Sequence, residues 1–156
     1  MPAVANASQS IGQHELVITR TFDAPRALVF RAWTKPEHMV RWRGPKDFTA
    51  PSCTMDFRSG GAYRACIRSP DGQEYWMRGI YREIVEPERL IFTFSWEEDG
   101  ERGRENLITV TFGEQGDKTR MTFRQAFFES VEQRDSHQQG WSECLERLAQ
   151  YLAGER

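Results

Sequence analysis

The stretch HQQGWSECLERLAQYL, His137 to Leu152, decides the fold. Trp141, Leu145, Leu148 and Leu152 recur at i, i+4, i+7 and i+11, the spacing of one side of an α-helix, with Cys144 and Tyr151 beside them. Glu143, Glu146, Arg147 and Gln150 fall on the opposite, wet side. The pattern reaches back to about Val131, so a helix from there to Leu152 is predicted. An apolar stripe of that length has to lie on a broad apolar surface, and the rest of the chain reads as the sheet that supplies it.

Working back from the helix, turn pairs punctuate the sequence: Gly60–Gly61, Asp71–Gly72, Glu86–Pro87, Asp99–Gly100 and Gly116–Asp117. Between them lie aromatic and β-branched runs, which predicts a meander of antiparallel hairpins. Tyr63, Ala65 and Ile67 alternate with Arg64 and Arg68. Leu90, Phe92, Phe94 and Trp96 alternate with Thr93 and Ser95, and Met121 and Phe123 with Arg120, Thr122 and Arg124. One face of the sheet is thus aromatic and the other polar. The run EYWMRGIYREI does not alternate cleanly, and Gly79 in its middle is read as a bulge or bend.

Further back, ELVITRTF (Glu15 to Phe22) predicts the first strand. Asp23 is the expected N-cap of a helix with Pro25 in its first position and Leu28, Val29, Ala32 and Trp33 as its buried stripe. KPEHMVRW gives a second short helix, ended by Gly44 and Pro45. The small, polar residues 1–13 read as a flexible tail, leaving 14–153 as a single domain. Strand, two short helices, several strands and a long helix is an α+β order.

Composition excludes several functions. Lys+Arg 21 against Asp+Glu 23 gives a net charge of −2, with no basic run to neutralise consecutive phosphates, so nucleic acid is not an expected partner. No apolar stretch approaches the roughly 20 residues that cross a bilayer, and the first residues lack the pattern of a signal peptide, so no membrane insertion and a cytoplasmic location are expected. Cys53, Cys66 and Cys144 are dispersed, as are His14, His38 and His137, and no metal or cofactor is expected. Cys144 and His137, seven residues apart, are expected to point in different directions and so to form no thiol–base pair. The carboxylates Glu97, Glu98, Asp99 and Glu101 read as a solvated hairpin tip, and no catalytic residue is assigned.

A long helix on a bent sheet leaves space that side chains do not fill evenly, and pockets of this kind are mostly apolar. The expected ligand-binding lining from the sheet is Tyr63, Phe92, Phe94, Trp96, Met121 and Phe123. From the final helix it is Trp141, Cys144 and Leu145. Each of these is also an ordinary core residue when taken singly; the 12% aromatic content is what favours a cavity for the set. Trp33, Trp42 and Met39, on or beside the short helices, are expected at the mouth or in hinge packing. Arg20 and Asp56 are expected to pair across the sheet.

The stretches TRTFDAPRALVFRAWTKPEHMVRW (19–42), GP (44–45), MDFRSGGAYR (55–64), GIYREIVEPERLIFTFSW (79–96) and HQQGWSECLERLAQYL (137–152) together resemble the SRPBCC, or START-like, superfamily. Within it the chain looks most similar to the branch of homologues of the heat-shock-protein-90 ATPase activator. That resemblance implies a helix-grip fold: a curved antiparallel sheet of about six or seven strands around a long C-terminal helix, with two short helices after strand one. Many relatives have two tryptophans before the Gly-Pro, whereas here Arg43 follows Trp42, which implies a pocket entrance that is half charged. Ser59 stands where a proline often precedes the paired glycines, which implies a looser turn.

The expected function is binding or carriage of a small hydrophobic or aromatic ligand, such as a lipid or an aromatic metabolite. An alternative is a cyclase, dehydratase or hydrolase-like enzyme working in the same cavity. A third is a chaperone-interacting protein, but the co-chaperones carry an additional N-terminal domain not read here, so chaperone contact is not expected. A homodimer is consistent with the need to protect edge strands.

Overall fold

The computed structural model describes residues 14–98 and 103–155. The expected tail and the hairpin residues Asp99 and Glu101 lie outside the described residues. β1 (Glu15–Phe22) leads into two short helices, α1 (Arg26–Thr34) and α2 (Pro36–Trp42). Six strands follow: β2 (Thr49–Met55), β3 (Ala62–Arg68), β4 (Glu74–Val85), β5 (Arg89–Trp96), β6 (Asn106–Gln115) and β7 (Lys118–Ala126). The long helix α3 (Val131–Glu155) ends the order. All pairings are antiparallel, and the seven strands run β1-β7-β6-β5-β4-β3-β2. β1 and β2 are therefore opposite edges, and α1 and α2 carry the chain from one to the other. This is the α+β helix-grip architecture.

The alternation of the strands separates the faces as expected. Leu16 and Phe22 of β1, Ile108, Val110 and Phe112 of β6, and Met121 and Phe123 of β7 are all buried on the inner side. Arg64, Arg68, Arg78, Arg120 and Arg124 line the outside. Each large ring takes roughly 150–250 Å² out of water, worth about 4–6 kcal/mol at 25 cal/mol per Å², so a few rings carry much of this core. Trp33, Trp42, Trp141 and Phe123 form its centre, with ring centroids 4.9 Å apart for Trp33–Trp42 and 4.4 Å for Phe123–Trp141.

Four local expectations are corrected. α1 has Pro25 itself at the N-cap position, extended at φ −64 and ψ 152 and with no side-chain cap, so Asp23 sits two residues too early. The Pro25 carbonyl instead takes the N–H groups of Leu28 and Val29 at 2.9 and 3.2 Å. β4 alternates as far as Tyr81, with Tyr75, Met77, Gly79 and Tyr81 facing inward and the glycine hiding the period because it contributes no side chain. Beyond Tyr81 the period breaks, as the uneven pattern suggested, and Ile84 packs on the core. A Cβ on Gly79 would lie 2.5 Å from Tyr63 Cε2 and 1.9 Å from the Thr93 carbonyl oxygen. Tyr63, its cross-strand partner, lies over the glycine and donates its hydroxyl to that carbonyl at 2.6 Å. The irregular register in this region falls between Tyr81 and Glu83.

The expected Arg20–Asp56 pair does not form. Arg20 faces α3 and holds Glu146 at 2.6 Å, while Asp56 is taken by Arg58 at 2.9 Å, its near neighbour across a turn. Glu97 is not part of a free hairpin tip: it turns back over the outer face to Arg64 at 2.7 Å.

Candidate functional site

Helix and sheet do not close on each other everywhere. Beside Trp141 a half-open pocket of about 240 Å³ remains. Its sheet wall is Ile67, Tyr75, Met77, Phe94 and Trp96, from three adjacent strands. Its helix wall is His137, Gly140, Trp141 and Cys144, spaced so that successive turns of α3 present one side. Arg43, Gly44, Pro45 and Phe48 make the rim.

That rim is fixed to the helix. Arg147 of α3 points one nitrogen at three successive carbonyls, of Arg43 (3.2 Å), Gly44 (2.9 Å) and Pro45 (3.1 Å). The Gly44 N–H donates to Cys144 Sγ at 3.3 Å. Gly44 has φ +105, and a Cβ there would meet Phe48 Cβ at 3.0 Å, so glycine is what lets the chain turn into the rim. In the wall, Trp96 Nε1–H donates to His137 Nε2 at 3.0 Å, which places the neutral ring's proton on Nδ1. Phe94, Trp96 and Phe128 all pack on the His137 ring.

A second, inner hollow of about 30 Å³ lies deeper, bordered by Trp33, Met39, Tyr63, Tyr81 and Phe92. It is the size of one water molecule's share of the liquid. Arg43 and Trp141 border both spaces, so they form the partition between them. The Arg43 guanidinium lies 4.5 Å over the Trp141 ring and 2.7 Å from the Met77 sulfur.

The residues singled out from sequence therefore fall into three places. Phe94, Trp96, Trp141 and Cys144 border the outer pocket; Trp33, Tyr63 and Phe92 border the inner hollow. Trp42, Met121, Phe123 and Leu145 border neither: all four are fully buried, and the Trp42 indole donates to the Ala32 carbonyl at 3.1 Å. Gly140 and His137 were not among the expected lining, and Arg43 entered it only as the charged half of the entrance that the resemblance implied. Cys144 and His137 do share a side of α3, because seven residues fall about 20° short of two turns. The thiol nonetheless donates to the Trp42 carbonyl at 3.6 Å rather than to the imidazole. Burial pushes the Cys144 thiol above its usual range, with Arg43 pulling the other way, so it is poorly suited to act as a nucleophile. Among the described residues no three His, Cys, Asp or Glu side chains gather as a metal site requires.

Burial likewise pushes the phenols of Tyr63 and Tyr81 well above the ordinary tyrosine range, opposed by the Arg43 charge. Tyr63 is half-buried as a whole, but its hydroxyl is the enclosed end. A folded pKa above the unfolded one contributes fully below the unfolded value, near 10, and is lost as pH climbs from there toward the folded value. Stability should fall above about pH 10 by up to roughly 1.4 kcal/mol per pH unit for each tyrosine. Urea unfolding followed across that range checks this, and Tyr63→Phe should flatten the dependence; a midpoint that does not move would contradict it.

An antiparallel sheet gripping a long helix, with a ring-lined pocket between them, defines a helix-grip protein of the START-like class. The sequence matches the family described as "Activator of Hsp90 ATPase homolog 1-like protein" over residues 23–153, and the chain belongs to that family. It is similar to a crystal structure from Chromobacterium violaceum, with 25% identity, TM-score 0.82 and coverage of 89% of this chain and 96% of the other. A solution structure from Arthrobacter aurescens has 26% identity and TM-score 0.80, covering 92% of this chain and 88% of that one. A crystal structure from Rhizobium leguminosarum has 30% identity and TM-score 0.72, with coverage of 89% and 93%. No curated protein matches the sequence. No helix among the described residues is long and apolar enough to cross a membrane.

Proposed function

We propose that this protein binds a small aromatic molecule in the outer pocket between α3 and the inner faces of β3, β4 and β5. The carrying observation is the space itself: about 240 Å³ walled by Tyr75, Phe94, Trp96 and Trp141. The size narrows the occupant. Drug-sized ligands take about 300–1,000 Å³, and a dry cavity of about 150 Å³ takes one benzene. One ring or two fused rings therefore suit this pocket, and a long acyl chain does not. Flat faces meeting at steep angles, such as Phe94 against Trp96 at 88°, suit a flat guest offered both edge and face contacts.

Gly140 provides the test. It is a helical glycine on the pocket wall, and a Cβ there would meet only Pro45 Cγ at 3.7 Å. In Gly140→Leu the new side chain should occupy the pocket. The helix should gain about 0.5–1 kcal/mol, because glycine is a poor helix residue. The expected result is quenching of tryptophan emission by naphthol in the parent protein, no quenching in the variant, and a melting temperature at or above the parent's. A leucine variant that binds naphthol as well as the parent would remove the outer pocket from the proposal. Native mass spectrometry of freshly purified protein would identify a natural occupant directly.

A further inference from the structure

Resting on the pocket proposed above, we infer that its occupant is an anion: an aromatic carboxylate whose charged end is held by Arg43 while its ring lies in the outer pocket. Among the described residues, Arg43 is the only Arg, Lys, Asp or Glu that lines either space. It is half-buried, and among the described residues it has no carboxylate partner. Two arginines of the outer face differ in this: Arg64 and Arg68 each hold a carboxylate, at 2.7 and 2.6 Å. The acid on the same stretch of α3, Glu143, is already engaged by the Lys46 N–H at 3.0 Å and by Gln139 at 2.7 Å.

A guanidinium drawn partly out of water and matched only by a ring face and a thioether is under-compensated, because its donors match a carboxylate's two oxygens far better. A second donor points the same way. Trp33 Nε1 is buried with no hydrogen-bond partner, and Trp33 borders the inner hollow that Arg43 also borders. That hollow is large enough for one water, which would relay the indole N–H to an anion seated at Arg43. An unpartnered indole N–H and a guanidinium without a carboxylate thus border the same hollow, and among the described residues no aspartate or glutamate is on its lining. Arg20, expected to pair with Asp56, is occupied by Glu146.

The test uses naphthoate and its neutral isostere naphthamide, titrated calorimetrically into the parent protein, Arg43→Met and Arg43→Lys. The parent should bind naphthoate about tenfold or more tightly than naphthamide, the scale of a charge-assisted hydrogen bond. Arg43→Met should lose that preference, binding naphthoate no more tightly than naphthamide. Arg43→Lys should keep part of it, having the charge without the planar fork. Should the methionine variant not fold, the parent and lysine comparisons still decide. Equal binding of the two probes by the parent, or a preference that survives in Arg43→Met, would overturn the assignment to Arg43 and leave the pocket standing. If neither probe binds the folded parent at about 1 mM, a binding energy of about −4 kcal/mol, both fail together.

Discussion

Gly79→Ala is expected to cost more than about 3 kcal/mol, far above the usual effect of adding one methyl to a strand. The new Cβ would sit 1.9 Å from the Thr93 carbonyl oxygen and 2.5 Å from the Tyr63 ring. A flexible side chain could yield, but Thr93 presents backbone, held by the pairing of β5 with β6, where Thr93 lies opposite Leu107. The strands must part, or the Tyr63 ring must leave and abandon its bond to Thr93. Tyr63→Ala in the same chain should not rescue the variant, since the carbonyl clash remains. Gly154→Ala is the control: nothing lies within 4 Å of its Cβ, and its effect should be neutral or slightly stabilising. Urea unfolding of the three variants measures this, and a loss under about 1 kcal/mol for Gly79→Ala would show that the strand pair yields easily.

Trp141→Ala should cost about 3–5 kcal/mol from ring removal alone. The indole stacks on Trp33 at 5.9 Å, on Phe123 at 4.4 Å and beneath Arg43 at 4.5 Å, so three elements lose their common surface. It also opens a polar chain. Trp141 Nε1 donates to Gln125 Oε1 at 3.0 Å, Gln125 Nε2 to Asn106 Oδ1 at 3.1 Å, and Asn106 Nδ2 to the Phe127 carbonyl at 3.1 Å. Gln125 and Asn106 are both buried, so losing the first donor orphans an acceptor, about 1–3 kcal/mol more. Trp141→Phe should separate the two terms, retaining much of the stacking and losing the donor. Equal unfolding midpoints for the phenylalanine variant and the parent would show that the chain of amides contributes nothing.

The parts legible in the sequence are those that repeat. β1 begins and ends at the expected residues, and Trp141, Leu145, Leu148 and Leu152 are buried as their spacing requires. β4 was not legible because its inward period passes through Gly79, where a ring from the neighbouring strand replaces the missing side chain. The pocket was only half legible, for a related reason. Choosing large apolar residues selects side chains that fill space, so Trp42, Met121, Phe123 and Leu145 turn out to close the core. A pocket exists where such side chains stop, at Gly140 and at the turn through Gly44, or where a polar one intervenes, at Arg43 and His137. Arg43 was visible only as a departure from the family's tryptophan pair, and its place over Trp141 needed the folded chain.

The central claim is that a small aromatic guest occupies the space beside Trp141. Two-dimensional amide and indole NMR during a naphthoate titration tests it most directly. The expected shifts gather at Gly44, Phe48, His137, Gly140 and the indoles of Trp96 and Trp141, with β1 residues such as Val17 and Thr19 unmoved. Shifts that are absent, or that gather instead at the groove of Thr21, Ala149 and Ala153 on the far edge, would contradict it.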